Sequence, residues 1–332
     1  IVLFLQDYMQ KDIFNIQNAQ DFSKVAIAVF KHQFQNNRVY RSFCDLINVH
    51  PSDVQKVSDI PFLPIQFFKG RKVVASKDKA QEVFTSSGTT GNRTSKHFVT
   101  DINFYKESYR KGFHHFYGNI KEYTVLALLP NYLERKGSSL VYMVDEFIKK
   151  SNNVESGFYL DNFKELTQKL IALDKKGQKV LLIGVSFALL DLIEKQQFNL
   201  KNTIVMETGG MKGRRKELVR EELHTILREG FGVAEIHSEY GMTELLSQGY
   251  SKGKGIFNSP PWMRVLTRDT EDALSIHPAG KNGGINVIDL ANYNSCSFIA
   301  TQDLGKVHKD GTFEIIGRFD NSDIRGCNLM VL

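Results

Sequence analysis

"KVLLIGVSFALLDLIEKQQFNLKNTIVMETGG", residues 179–210, carries the pattern that decides the fold. Residues 179–186 form a short apolar run of strand length. Residues 187–196, "FALLDLIEKQ", space their apolar side chains as a helix does, and "TIVMETGG" (203–210) is a second strand ending in two glycines. A strand, a helix and a strand in succession need a crossover connection, which makes the two strands parallel.

The same alternation extends to both sides. Upstream, "YTVLALLP" (123–130) reads as a buried strand, while "SSLVYMVDEFIKK" (138–150) and "NFKELTQKLIALDKKG" (162–177) read as helices. Downstream, "KGRRKELVREELHTILREG" (212–230) reads as a helix with Val219, Leu223, Ile226 and Leu227 on one face, and "GVAEIHSEY" returns as a strand. Such a pattern predicts an α/β fold, a parallel sheet with helices on both faces, whose ligands gather at the carboxyl ends of the strands. Residues 1–50 read as helical, with a first break at "HPSD" (50–53). "IPFLPIQFFKG" (60–70) reads as a packed extended segment and "KVVAS" (72–76) as a short strand. From about residue 270 the helical pattern gives way to "ALSIHP", "GGINVIDL", "SFIATQD" and "TFEIIGR", short strands between turn residues. The expected division is an N-terminal helical region plus α/β core over 1–265 and a small β subdomain over 266–332.

Composition sets outer bounds. The chain has 332 residues, 42% hydrophobic and 24% charged, with a net charge of +6, enough apolar content for a packed core. No apolar run approaches the roughly 18 residues of a membrane-spanning helix, and the apolar start "IVLFL" is too short for a signal peptide. Cys44, Cys296 and Cys327 are odd in number and widely spaced, which points to a reducing, cytoplasmic setting rather than a disulfide framework. No Lys/Arg-rich block with interleaved aromatics is present, so a nucleic-acid partner is not expected.

Chemistry enters at "FTSSGTTGNRTSK" (84–96), where Ser86 to Gly91 are only Ser, Gly or Thr. Glycines let a backbone approach a ligand closely, and hydroxyls and N–H groups cradle phosphate oxygens. Asn92 after Gly91 rules out the Gly-Lys-Ser/Thr phosphate loop of other nucleotide enzymes. Three later stretches add charged groups: "EYGMTE" (239–244) ends an expected strand and carries an aromatic, a hydroxyl and a carboxylate, "TQDLG" (301–305) puts Asp303 at another expected strand end, and "GRFDNSDIRG" (317–326) joins arginines and acids near the C-terminus.

In this order, with "METGG" (206–210) between the first two, the motifs resemble those of the adenylate-forming superfamily, and the chain most resembles the LuxE-type acyl-protein synthetases. The resemblance implies ATP and Mg²⁺. It implies that Ser86, Ser87, Gly88, Thr89, Thr90 and Gly91 hold the β- and γ-phosphates, Thr243 the α-phosphate and Glu244 the metal. Gly210, Tyr240 and Gly241 would border the adenine, and Asp303 would accept from the ribose hydroxyls beside Arg318. There are departures. "NRTSK" replaces the usual Pro-Lys, which puts Lys96 in the place of the loop's cation, and Gln302 replaces the Gly of Thr-Gly-Asp. The sequence stops soon after the hinge-like motif, so the mobile C-terminal domain and its late lysine are expected to be absent or truncated. Lys96, Lys212, Arg214, Arg215 and Arg325 are the cations left to serve the carboxylate and α-phosphate.

The resemblance further implies activation of a fatty or related carboxylic acid and transfer of the acyl group to a protein cysteine. Cys327 is the expected acceptor; Cys44 and Cys296 are expected in the core. An acceptor protein such as a reductase or transferase would follow. A ligase for coenzyme A or a carrier protein, and a non-catalytic nucleotide-binding subunit, are the alternative readings.

Overall fold

The computed structural model describes residues 12–86, 94–130, 137–160, 162–209, 215 and 218–319. In chain order it contains helices α1 (Ala19–Asn36) and α2 (Arg38–Leu46), strand β1 (Leu63–Pro64) and the pair β2 (Glu82–Thr85) and β3 (Lys96–Val99). Helix α3 (Ile102–Tyr117) leads into the alternating region: β4 (Thr124–Leu128), α4 (Ser139–Ser151), β5 (Gly157–Tyr159), α5 (Phe163–Lys175), β6 (Val180–Val185), α6 (Ser186–Lys195), β7 (Thr203–Thr208), α7 (Arg220–Phe231) and β8 (His237–Tyr240). Strands β9 (Gly249–Ser251), β10 (Phe257–Asn258), β11 (Met263–Arg268), β12 (Asn282–Asp289), β13 (Phe298–Val307) and β14 (Phe313–Arg318) follow. Among the described residues no helix is long and apolar enough to cross a membrane.

The chain divides into two compact units, Lys79–Pro260 and the pair Ile1–Asp78 with Pro261–Leu332. In the first, β5, β4, β6, β7 and β8 lie side by side and parallel, and β9 and β10 continue antiparallel. Every residue of β4 and β6 is buried, as expected for strands covered on both faces. Gly184 lets α6 turn back tightly, because a Cβ there would come within 2.8 Å of Leu189. Between α3 and α4 an aromatic cluster of Tyr105, Tyr109, Phe113 and Phe147 is pinned at its polar ends. Tyr109 donates to Glu146 at 2.7 Å and Tyr105 to the Ser139 carbonyl at 3.0 Å.

In the second unit β11, β12, β13 and β14 form an antiparallel sheet, with β1 added parallel to β13. Phe30 of α1 meets Phe34, Tyr40 and Phe298 edge to face or tilted. Burying each such ring contributes about 1.5–3 kcal/mol. Direction comes from one buried polar side chain. The Gln33 amide donates to the carbonyls of Asn292 (2.9 Å) and Tyr293 (3.0 Å) and to Ser297 Oγ (3.1 Å), and its oxygen accepts from the Ser297 N–H (2.9 Å). Asn37 repeats the device. Its oxygen caps α2 at the Tyr40 N–H, and its NH₂ donates to the Ser295 carbonyl at 2.9 Å.

Three local expectations are corrected. "KVVAS" (72–76) is not a strand; it runs irregularly, and the Ala75 N–H donates to the Asn294 carbonyl at 2.8 Å. "ALSIHP" contributes only an isolated bridge between Ile276 and Arg268. The described helix begins at Arg220, so Val219 is its exposed N-cap and not part of a buried face.

Replacing Gln33 by Leu keeps the volume but strands several buried partners, at about 1–3 kcal/mol each. We expect Gln33→Leu to lower the thermal midpoint by several degrees, while the exposed Gln20→Leu leaves it within a degree or so; differential scanning calorimetry of the two variants checks this.

Candidate active site

The Ser/Gly/Thr stretch connects two antiparallel strands. Thr85 lies opposite Lys96. Just beyond them the Ser86 N–H donates to the Ser95 carbonyl at 3.1 Å, and the Ser95 N–H donates to Ser86 Oγ at 2.9 Å. Ser86 therefore closes the neck of the loop with both its backbone and its hydroxyl. On the outer side the Thr85 N–H donates to the Gly137 carbonyl at 2.8 Å. Gly137 has φ +88°, and a Cβ there would lie 3.0 Å from Thr85 Oγ1, so glycine is required. Ser87, Gly88, Thr89, Thr90 and Gly91 lie outside the described residues.

Strand alternation separates the next two residues. Lys96 is exposed, and His97 is fully buried. His97 Nδ1 lies 2.9 Å from the Thr243 carbonyl. Burial lowers its pKa to about 4, and the hydrogen bond to Thr243 offsets this only in part. The ring is therefore neutral at physiological pH. Because a carbonyl only accepts, the proton sits on Nδ1. Through this bond the loop-bearing strand holds the "YGMTE" segment.

That segment begins where β8 ends. Tyr240 is buried and meets Phe257 edge-on at 6.1 Å. Gly241 is exposed and Thr243 half-buried, while Glu244 is buried. A side chain at 241 would meet Glu239 Oε1 and displace that carboxylate. Glu239 accepts from Thr208 Oγ1 of β7 at 2.5 Å. Burial raises its pKa to about 7; the Thr208 hydrogen bond lowers it and the Glu207 charge raises it further. Glu207 points to the opposite face. It accepts from Ser186 Oγ (3.1 Å) and Arg220 Nη1 (2.5 Å), with His224 Nε2 at 3.5 Å. Burial pushes the Glu207 pKa up, but His224 and Arg220 together outweigh it, and the group lies below the usual carboxylate range. These contacts lock the carboxyl ends of β6, β7 and β8. Gly210 lies outside the described residues.

In the other unit Asp303 of β13 and Arg318 of β14 are register partners, joined by Arg318 Nε at 3.1 Å from Asp303 Oδ1. Beneath them Arg268 is buried. It donates to the carbonyls of Ile285 and Thr301, each at 2.7 Å, and to Asn286 Oδ1 at 2.8 Å. Burial lowers its pKa to about 10, against an opposing pull from Asp303.

Two sequence expectations sharpen. Arg215 is a poor phosphate candidate, because its guanidinium is committed to Asp191 and Glu194 of α6, at 2.6 Å and 2.7 Å for the two Glu194 oxygens. Cys44 and Cys296 are buried; burial pushes the Cys44 thiol to about 12 and raises that of Cys296 as well. Neither is a nucleophile. Cys327 and Arg325, like Lys212 and Arg214, lie outside the described residues. His97, Glu239, Glu207 and Arg268 were not singled out from sequence.

Residues 11–101 match a family model described as acyl-protein synthetase, LuxE. A long-chain-fatty-acid–luciferin-component ligase of Vibrio harveyi is 23% identical over 334 residues, covering 92% of this chain and 86% of that protein. One from Photorhabdus luminescens is 32% identical over 69 residues, 20% of this chain and 59% of its own. Among solved structures, ATP-bound MatB from Rhodopseudomonas palustris aligns with a TM-score of 0.53 at 16% identity. That match covers 71% of this chain and 47% of MatB, so the chain spans about half the length of that structure. An open form of 2-hydroxyisobutyryl-CoA ligase, in complex with 2-HIB-AMP and CoA, aligns with a TM-score of 0.65 at 13% identity over 92% of this chain and 72% of its own. The resemblance to LuxE-type acyl-protein synthetases holds, and so does the adenylate-forming-enzyme-like α/β fold.

The buried histidines set an acid limit. His32, His97 and His237 each have a pKa near 4, lowered first by burial, whereas an unfolded chain has about 6.5. Between pH 6.5 and 4 the unfolded state binds more protons at these three sites, so stability falls as pH falls. Glu239, raised to about 7, works the other way but is one group against three. The melting temperature should therefore decline from pH 6.5 towards 4.5, and more shallowly in His97→Gln; a flat profile in that window would contradict the neutral, buried rings.

Proposed function

We propose that this chain is an ATP-dependent, AMP-forming ligase that activates a fatty or related carboxylic acid and transfers the acyl group to a cysteine thiol. The observation that carries the reading is the His97–Thr243 bond. It binds the neck of a Ser/Thr/Gly loop to a strand-end segment bearing Thr243 and Glu244. The names of the relatives, ligases for long-chain fatty acids, supply the substrate class.

A carboxylate oxygen attacks the α-phosphorus of ATP, the bond from that phosphorus to the bridging oxygen breaks, and pyrophosphate leaves. A thiolate then attacks the acyl carbon and AMP departs; the thiol proton goes to solvent. The protein's contribution is positioning and charge stabilisation. The loop 86–91 cradles the β- and γ-phosphates, with exposed Lys96 supplying positive charge at its neck. Thr243 donates to the α-phosphate. Gly210, Tyr240 and Gly241 flank the adenine, and Asp303, oriented by Arg318, takes the ribose hydroxyls.

Among the described residues no cluster of three or more His, Cys, Asp or Glu is arranged to hold a metal ion. One buried carboxylate, Glu244, fits a magnesium ion, which is typically held by one or two carboxylates with substrate phosphates and waters completing its shell. Bound there, the ion would neutralise phosphate charge. With the thiols of Cys44 and Cys296 buried and held protonated, Cys327 is the acceptor, and a partner protein takes the acyl group onward.

Glu244→Gln should lower fatty-acid-dependent ATP–pyrophosphate exchange by roughly 10- to 100-fold, with excess Mg²⁺ restoring it only partly. Wild-type rates in this variant would remove Glu244 from the site, and no exchange in the native protein with any carboxylic acid would favour a nucleotide-binding subunit.

The acceptor is tested separately. Radiolabelled fatty acid and ATP should label the native protein through a bond that neutral hydroxylamine cleaves. Cys327→Ser should keep exchange and lose the label, because a serine hydroxyl is almost fully protonated at neutral pH. Exchange without any label, with product appearing only when coenzyme A is added, would reassign the chain as an acyl-CoA ligase.

A further inference from the structure

A cavity of about 450 Å³ lies at the amino end of β8, the end opposite the Thr243–Glu244 segment. It is lined by Phe116, Glu235, Tyr250, Lys252, Lys254 and Ile256, among others. Its place follows from chain direction. Glu235 precedes β8, Phe116 is the penultimate residue of α3, and 252–256 is the turn from β9 to β10. The site is an open depression of the surface rather than an enclosed cavity.

The turn that forms one wall is built rather than loose. The Ser251 hydroxyl donates to the Gly253 carbonyl at 2.9 Å, and the Ile256 N–H donates back to the same carbonyl at 3.3 Å. Lys254 takes the left-handed conformation at φ +57°, which an ordinary side chain adopts only where its surroundings impose it. A Cβ at Gly253 would meet Glu235 Oε2 at 2.7 Å, and one at Gly255 would meet Arg220 Cδ at 2.8 Å. Both glycines take a positive φ, +151° and +66°, that a residue with a side chain rarely adopts. The opposite wall is aromatic, with the rings of Phe116 and Tyr250 5.3 Å apart.

Charge defines the ligand. Lys252 and Lys254 are both exposed at this turn. Lys252 is not adrift, since its ammonium sits 5.5 Å from the Tyr117 ring centroid, and its positive charge adds to burial in keeping His237 neutral. Among the described residues neither lysine nor Glu235 has an ion-pair partner. Two ammonium groups and one carboxylate leave a single unbalanced positive charge. That matches a monoanionic head on an apolar body, and not a polyphosphate.

We infer that this cavity binds an amphipathic monoanion, a free acyl carboxylate, with its chain against Phe116, Tyr250 and Ile256 and its carboxylate between Lys252 and Lys254. The site is separate from the one that binds ATP. Its choice of an acyl chain rests on the ligase reading; its preference for a monoanion does not.

The test uses the full chain and dodecanoate carrying a diazirine near its methyl end. Photolabelling should be saturable and should map to the peptides holding Phe116 and Ile256. The double variant Lys252→Glu/Lys254→Glu should weaken labelling at least roughly tenfold, whereas the matching dodecanol probe should label weakly and equally in both proteins. Phe116→Glu, which charges the apolar wall, should abolish labelling and serves if the double variant does not fold by circular dichroism. Cavity labelling indifferent to charge reversal in a folded variant overturns the proposal, because the chain would then be entering from the other side. Labelling confined to other peptides, or equal labelling by dodecanol, overturns it too. Pyrophosphate exchange measured alongside keeps the two readings apart: native protein that labels here but shows no exchange loses the ligase assignment and keeps this site.

Discussion

One neutral imidazole, that of His97, ties the strand that follows the Ser/Gly/Thr stretch to the Tyr240–Glu244 segment of the Lys79–Pro260 unit. Strand β3, which follows the Ser/Gly/Thr stretch, and the Tyr240–Glu244 segment, whose Tyr240 packs against Phe257, are far apart in sequence, and each is held by an anchor. The buried Nδ1–H bond to the Thr243 carbonyl gives both the same one, and it lies in surroundings where a hydrogen bond is stronger and an unmade one costlier than in water. Burial alone keeps the ring neutral, so the bond is made without a buried charge.

The two carboxylates behind the strand ends show how position on a strand sorts chemistry. Glu207 and Glu239 stand on neighbouring parallel strands but on opposite faces. Glu207 meets Arg220 and His224 and stays ionised, fixing the start of α7. Glu239 accepts from the Thr208 hydroxyl, and burial raises its pKa to about 7. A buried ion pair of the first kind adds little net stability, but removing one partner is costly, so its service is to fix geometry. Arg268 does the same in the other unit, where its guanidinium fills the space above Gly284 and ties β11, β12 and β13 together through backbone carbonyls.

Much of this was legible in the sequence, and for physical reasons. Parallel strands buried on both faces are dominated by apolar residues, so β4 and β6 announce themselves. Crossover helices must be amphipathic, so α4, α5 and α6 do too. The segment "YGMTE" falls at the end of β8 as expected, whereas "TQDLG", expected at a strand end, lies within β13, because the strand runs on to Val307 to pair with β14. What escaped was long-range. Nothing local to "KHFV" says that its histidine reaches a carbonyl 146 residues away, and nothing local to Gln33 says that its partners are Asn292, Tyr293 and Ser297. The segment "KVVAS" has the β-branched residues of a strand, yet its Ala75 N–H bonds a loop carbonyl, that of Asn294, because propensity yields to whatever tertiary partner is at hand.

The grouping of residues 1–78 with 261–332 has a bearing on how the protein is made. Domains commonly fold as units during synthesis, at about 5–20 residues per second. The stretch 79–260 is contiguous and has all its own strands once it has emerged from the ribosome. The helices that precede it emerge first but must wait, with Phe22, Phe30 and Phe34 uncovered, until Phe298 and its neighbours arrive. For that interval, on the order of ten seconds or more at such rates, the earliest part of the chain is its most vulnerable. Its amide-bearing Gln33 and Asn37 are then waiting for partners that have not yet been translated.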